Sequence, residues 1–396
     1  MGLDIGFDSI KAVELSRSGG GIELGLSAVA PIRLKQSDIQ ETPAFDREAT
    51  LSAIQRLISE SNIPTKKVVT AVSGESVIVR ILRMPASIIE GTKEEDLEFA
   101  IKGEARDFIP FEMEDIIFDY QKLGIVDTEG AKMIEVLIVA VKKETIYSLM
   151  DLLKEAGLQP IIIDVGSFAL VNALNYGGGI NPDEIISIVN IGSDITSIAI
   201  MKDGMTRFTR DFNVAGNNIT NAISSGMGIN WFEAEDLKKK HGMHLGSEES
   251  FDTGSEMQIM SNDFFENTDS TNVVDDLSGA IDDITGGAGR NSGDAQAQQI
   301  SPIIQGVLSD ICSEVKRSLL YYESQLEGET VGKIILSGGT AKLLNIVPYF
   351  ESFLDLKTEI INPLASVSHR LSNDELVDLS PLIGVGIGLA LRNVIT

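Results

Sequence analysis

Residues 2–10 read GLDIGFDSI and residues 189–197 read VNIGSDITS. Each has a polar residue, Ile, Gly, one spacer and Asp, with an apolar stretch leading in and an alternating stretch leading out. A glycine where two strands reverse lets successive backbone N–H groups converge on one concavity, which is a nest for phosphate oxygens. Two such turns facing each other across a cleft would clamp a polyphosphate. The bare pattern also suits two unrelated β-hairpins, so its meaning depends on its surroundings. A third glycine site, IILSGGTAKLL from Ile334, reads as a strand, a glycine pair and a helix begun by Thr340. Without Cβ atoms, Gly338 and Gly339 admit a flat base or a phosphate close to the backbone.

The chain has 396 residues, more than the roughly 250–300 over which a single core grows, so two lobes are expected. Its 43% apolar and 6% aromatic content suits an α/β protein. No stretch reaches the roughly 18 uninterrupted apolar residues of a spanning helix, and PLIGVGIGLAL from Pro381 is too short and glycine-rich. Asp4 and Asp8 stand where an export signal would place Lys or Arg, and the lone Cys312 forms no internal disulfide, so a cytoplasmic location is expected. A formal charge of −27 argues against binding nucleic acid or anionic lipid. Much of that charge is local: Ser247 to Asp294 holds twelve Asp or Glu against one Arg. With its Ser, Gly, Asn and Gln content, the segment reads as a weakly ordered acidic insertion.

Along the chain, a strand, tight turn and strand precede a helix from Arg47 to Ser61, with Leu51, Ile54, Leu57 and Ile58 on one face. Strands KVVTAVSG and SVIVRILRMP follow. A Thr92–Glu95 capping box then opens a helix whose stripe is Leu97, Ile101, Ala105 and Phe108. Strand EVLIVAVKK, a helix from Thr145 to the Gly157 stop, and strand PIIIDV complete a compact α+β unit. The pattern restarts with strands at Ile185 to Val189, Ile195 to Lys202 and Met205 to Phe212, then a helical region from Gly216 to His241. A long helix from Pro302 to Leu326, strand KIILSG and a small-residue helix from Leu382 to Asn393 close the chain.

The three glycine sites, in this order, resemble the phosphate-1, phosphate-2 and adenosine motifs of the actin, Hsp70 and sugar-kinase superfamily. Four segments sharpen the match: GLDIGFDSIKAVEL, GEARDFIPFEMEDIIFDYQKLG, EVLIVAVKKETI and IILSGGTAKL resemble the PilM family of type IV pilus assembly, related to the division protein FtsA. The resemblance implies an α/β, two-lobed actin-like ATPase fold, built from duplicated ribonuclease-H-like domains with an inserted α+β subdomain 1C. On this reading subdomain 1A comprises 1–74, 161–182 and 381–396, and 1C comprises 75–160. Subdomain 2A comprises 183–215 and 330–380, and 2B comprises 216–329, with the insertion at about 245–300. It further implies ATP with Mg²⁺ between the lobes, and a groove near 1A and 1C for the cytoplasmic N-terminal peptide of PilN, recruiting the protein to the pilus platform.

Carried over by position, Asp4, Gly6, Ser9 and Lys11 match the first phosphate loop. Asp4 would hold hydrated Mg²⁺ through water, because Mg²⁺ favours carboxylate, water and phosphate oxygens. Asn190, Gly192, Asp194 and Thr196 fall in the second loop. Gly216, Glu235 and Lys238 match the ribose and adenine region, with Gly338, Gly339 and Thr340. Asp164 stands where hydrolytic relatives place a residue that orients water. Asn190 departs from the superfamily's usual Asp, and an amide cannot act as a carboxylate toward Mg²⁺ or water. ATP turnover is therefore expected to be slow or absent.

Two rivals share the superfamily. An FtsA-type division scaffold has the 1C subdomain but ends in an amphipathic membrane-binding helix, whereas this sequence stops at ALRNVIT. A small-molecule kinase would need a carboxylate base near the γ-phosphate and leaves the ARDFIPF segment unexplained. No G-x-x-x-x-G-K-[ST] loop is present, and GVGIG at Gly384 lacks dinucleotide spacing. His241 and His244, with one Cys and His369 besides, make a poor zinc set.

Overall fold

The computed structural model of the chain describes residues 1–32, 46–74, 76–88, 94–128, 130–178, 180–181, 183–243, 292–325 and 329–395. Thr92, His244 and nearly all of the acidic insertion lie outside them. Strands β1 (Gly2–Ile5), β2 (Ser9–Ser18) and β3 (Gly21–Pro31) form an antiparallel meander. Asp46 accepts the Ala49 N–H at 3.0 Å and so caps α1 (Arg47–Glu60). The inner face of α1, Ala53, Ile54 and Leu57, clusters with Leu3, Ile10 and Ala12. Strand β4 (Lys67–Val72) then pairs parallel with β1.

At Gly74 the chain leaves this sheet for a separate one. Strand β5 (Val77–Pro85), α2 (Glu94–Ala105), β6 (Ile116–Thr128) and β7 (Ala131–Lys142) give an antiparallel sheet in the order β5-β7-β6. Leu97, Ile101 and Ala105 of α2 bury against Leu82, Met84, Val136 and Ile138. Phe108 does not extend that stripe: α-helical periodicity stops at Ala105, and Phe108 sits in a following 3-10 turn, 53% exposed. Helix α3 (Lys143–Glu155) returns to the first sheet, placing Leu152 and Leu153 with Leu3 and Ile54. The inserted sheet therefore ends at Lys142 rather than near residue 160. Strand β8 (Gln159–Val165) pairs parallel with β4 and leads into α4 (Gly166–Gly177).

The second half repeats the first. Strands β9 (Ile186–Ile191), β10 (Thr196–Lys202) and β11 (Met205–Phe212) form a meander. Helices α5 (Gly216–Met227), α6 (Trp231–His241) and α7 (Ser292–Gln325) follow. Helix α7 starts well before Pro302, so residues 292–300 belong to a helix and not to the insertion. The reason is its buried stripe: Ile300, Ile304, Leu308, Ile311, Val315 and Leu319 recur at helical spacing. Strand β12 (Lys333–Ser337) pairs parallel with β9. Thr340 begins no α-helix; Gly339–Lys342 is one 3-10 turn, followed by α8 (Ile346–Leu354) and β13 (Lys357–Ile360). Then β14 (Val367–Ser368) pairs with β3, and α9 (Asn373–Ile395) packs on the first sheet, so the chain rejoins that lobe at Val367 rather than at 381.

The strand orders β3-β2-β1-β4-β8 and β11-β10-β9-β12-β13 are the same, with matching antiparallel and parallel pairings. This is the duplicated, two-lobed actin-like fold. Between the sheets lie α4 and α9, whose Ala169, Leu170, Val385 and Leu389 share a cluster with Val69 of one sheet and Ile186, Ile188 and Ile335 of the other. The GVGIG stretch belongs to this contact. A Cβ at Gly388 would overlap the Ala169 carbonyl, and one at Gly2 would overlap the Gly386 carbonyl. Gly388→Val should therefore lower the thermal unfolding midpoint, since overpacking costs about 1–3 kcal/mol or more; an unchanged midpoint would contradict this packing.

Candidate functional site

Each half places its glycine turn at the same point of the same meander. In the first, the Gly6 N–H donates to the Ser9 carbonyl at 3.1 Å; in the second, the Gly192 N–H donates to the Ile195 carbonyl at 3.0 Å. Register makes the equivalence residue by residue: Asp4 pairs with Lys11, and Asn190 with Ser197. The chemistry differs. Asp4 and Lys11 form an ion pair at 3.4 Å, whereas the second turn has an amide and a hydroxyl in those places.

Three segments meet at the second turn. The Gly192 carbonyl accepts both the Gly216 N–H and the Thr340 hydroxyl, each at 3.0 Å. The Asn217 N–H donates to the Ser193 carbonyl at 2.7 Å, which fixes the start of α5 on the turn. Gly338 has φ of +91°, and a Cβ there would overlap the Ile191 carbonyl. Only glycine satisfies both constraints.

The two turns line one cleft of about 1020 Å³, with Asp4, Gly6, Ser9 and Lys11 on one side and Asn190, Gly192, Gly216, Gly338, Gly339 and Thr340 on the other. That volume is at the upper end for small-molecule sites. Glu235 and Lys238 also line it, from α6, a helix capped by Asn230, whose side chain accepts the Glu233 N–H at 3.0 Å. Lys238 Nζ contacts Glu235 at 2.6 Å and donates to Thr220 Oγ1 at 2.7 Å and to the Gly216 carbonyl at 3.0 Å. Burial holds the Lys238 ammonium below the usual lysine range, against the pull of Glu235. For Glu235, burial favours a raised pKa, but Lys238, the Thr220 hydroxyl and Lys239 outweigh it and hold the carboxyl low.

Three expected residues are absent from the cleft lining. Asp194 is held by the Ser193 hydroxyl and by Asn217 Nδ2, both at 3.0 Å. Thr196 is fully buried and donates to the Val214 carbonyl at 2.7 Å. Asp164 is ion-paired with Arg392 of α9 at 2.9 Å, and burial raises its pKa although Arg392 opposes the rise. It braces β8 against α9, so it does not sit where it could orient a water over the cleft. Sequence reading missed Phe7, Asp8, Ser73, Ser197, Asn217 and Lys239, which also line the cleft. Phe7, Asp8 and Ser197 were legible from their places inside the repeated stretches; Ser73, Asn217 and Lys239 needed the fold.

Among the described residues there is no cluster of His, Cys, Asp and Glu suited to a protein-only metal centre, and no helix is long and apolar enough to cross a membrane. Removing the lysine from the buried pair, as in Lys238→Met, leaves Glu235 with Lys239, which is 67% exposed. A stability loss toward the lower end of about 3–5 kcal/mol is expected in urea unfolding, and Glu235→Gln added to Lys238→Met should recover part of it.

A family model described as type IV pilus assembly protein PilM matches residues 2–276, and one described as cell division protein FtsA matches 187–377. Among curated relatives, FtsA of Bacillus subtilis is 26% identical over 65% of this chain and 61% of its own length, and FtsA of Staphylococcus epidermidis 21% identical over 61% and 48%. The chain thus spans about half to three-fifths of the length of these relatives. A solved PilM–PilN type IV pilus biogenesis complex is 23% identical, with TM-score 0.73 and coverage of 99% of this chain and 98% of that one. Ethanolamine utilization protein EutJ of Carboxydothermus hydrogenoformans reaches TM-score 0.50 at 15% identity, over 98% of this chain and 88% of that one. With the PilM model spanning more than half of its residues and the duplicated actin-like sheets around one cleft, this chain belongs to the PilM family of type IV pilus assembly proteins.

Proposed function

We propose that the cleft binds ATP with Mg²⁺, and that the protein is a nucleotide-stabilised adapter for the cytoplasmic N-terminal peptide of PilN at the pilus assembly platform. The observation that carries the nucleotide reading is the pair of equivalent glycine turns facing one cleft, closed by the same Gly N–H to carbonyl bond. The family and the PilM–PilN complex among its solved relatives support the partner. On this reading the protein works on the cytoplasmic side, held at the inner membrane by its partners.

The lining carries five basic residues and five acidic ones. A triphosphate entering so balanced a site needs a cation of its own, and Asp4 is the carboxylate placed beside the first turn to hold hydrated Mg²⁺. Lys11 neutralises the phosphate nearest that turn. Backbone amides at residues 7–9 and 193–195 supply oxygen-binding donors, the start of α5 adds its dipole, Glu235, positioned by Lys238, accepts from the ribose, and Gly338–Gly339 lies under the base.

The second turn lacks a free carboxylate. Asn190 is neutral, Asp194 is tied to Ser193 and Asn217, and Asp164 is turned to Arg392. None of these three side chains is free to accept a proton from water. The expected outcome of single-turnover assays with Mg-ATP is retained, intact nucleotide. Asp4→Ala should weaken Mg-ATP binding by about tenfold or more, about 1.4 kcal/mol, with little effect on binding without Mg²⁺. Steady phosphate release that disappears in Asn190→Ala would contradict the slow-turnover reading.

A ligand shifts conformations only through differential affinity. If ATP stabilises the lobe arrangement that forms the peptide groove, titrations of PilN peptide should give tighter binding with saturating Mg-ATP than without. Equal affinities would leave a PilN adapter with no nucleotide control.

A further inference from the structure

The inserted sheet touches both lobes by different chemistry. Toward the first lobe the contact is apolar: Val79 and Leu137 cluster with Val165 and Phe168, and Val141 with Val72 and Ile146. Toward the second lobe it is polar and concentrated on β11. Glu135 of β7, whose side chain is 9% exposed, meets Arg207 of β11 at 2.9 Å and Arg83 of β5 at 3.1 Å. Farther along β11, Asp211 accepts the Gly74 N–H at 2.5 Å. Gly74 is the residue through which the chain leaves the first sheet for β5. Asp211 is also hydrogen-bonded to Ser197, its register partner on β10. Ser197 in turn pairs with Asn190 of the second glycine turn and lines the cleft.

These contacts form one continuous path, from the cleft through Ser197 and Asp211 to Gly74, and in parallel from β11 through Arg207 to the centre of the inserted sheet. We propose that β11 is a latch that ties the inserted sheet to the lobe carrying the second glycine turn, so that the sheet follows that lobe whenever the cleft opens or closes. Apolar contact is non-directional and tolerates small slides. The Glu135 carboxylate does not: losing Arg207 leaves a buried charge short of a partner, so the contact is made or broken rather than stretched. Polar contact is thus where the interface can open as a discrete step, and the apolar side is where it pivots. The proposed function enters only through the ligand that moves the lobes.

The test is hydrogen exchange of the full chain, read in β5 and β7 against β1 and β4, for the wild type and for Arg207→Ala, a change outside the cleft. Without ligand, Arg207→Ala should speed exchange in β5 and β7 by about fivefold or more while β1 and β4 stay unchanged. With saturating Mg-ATP, the wild type should slow in β5 and β7, and Arg207→Ala, compared at its own saturating Mg-ATP, should show little of that slowing. Unchanged exchange in β5 and β7 of Arg207→Ala overturns the latch, as does a full nucleotide response in that variant. Should the wild type retain no Mg-ATP, the nucleotide reading falls, while the ligand-free comparison still decides the latch. Glu135→Gln serves as the second variant if Arg207→Ala does not fold, with the same expected acceleration and the same overturning result.

Discussion

The arrangement depends on how closely α4 and α9 pass between the two sheets. Gly2 and Gly388 let main chain lie on main chain, at separations where a Cβ would overlap a carbonyl, and a Cβ on Gly386 would crowd the Val13 side chain. The shared cluster of Val69, Ala169, Ile186, Ile335 and Leu389 joins the cores of both lobes at that point. Because the lobes are held together there, the two glycine turns project from separate sheets onto a common space. A wider spacing would leave two hairpins, each with its nest, and no clamp. The same crossing lets α9 reach the third turn, where the Pro381 carbonyl accepts the Gly338 N–H at 2.8 Å.

Around that crossing, duplication has produced halves that agree in backbone and differ in charge. Both turns close on a Gly N–H to carbonyl bond, but one retains an Asp4–Lys11 ion pair and the other has Asn190 opposite Ser197. The first turn is therefore suited to a cation and phosphate charge. The second is a hub of hydrogen bonds, in which a single carbonyl, that of Gly192, anchors both α5 and the 3-10 turn at Thr340. In the proposed function, such a division favours holding a ligand over transforming it. The hydroxyl of Ser197 also gives the second turn a contact with Asp211, linking it physically to the inserted sheet.

The turns themselves were legible because a tight strand reversal constrains sequence locally: glycine is needed at the bend, and polar residues flank it. Most strands were legible by alternation or by apolar runs. Errors gathered where tertiary contact decides. Helix α7 began earlier than Pro302 suggested, because packing of Ile300 and Ile304 under the second lobe outweighs the weak helical preference of the preceding polar residues. Asp164 looked available in sequence, but its carboxylate is engaged by Arg392, more than two hundred residues away.

By itself, the sequence determined the duplication, the three glycine sites and the neutral residue at 190, since each of these depends on local backbone geometry or side-chain chemistry. It also carried the segments that mark the family. Tertiary structure alone decided which carboxylates face the cleft, where the inserted sheet ends and what it touches. Those features depend on pairs distant along the chain, such as Glu135 with Arg207 and Gly74 with Asp211. No local pattern encodes such pairs, because a charge is placed only when packing brings its partner within reach and excludes the water that would otherwise solvate it.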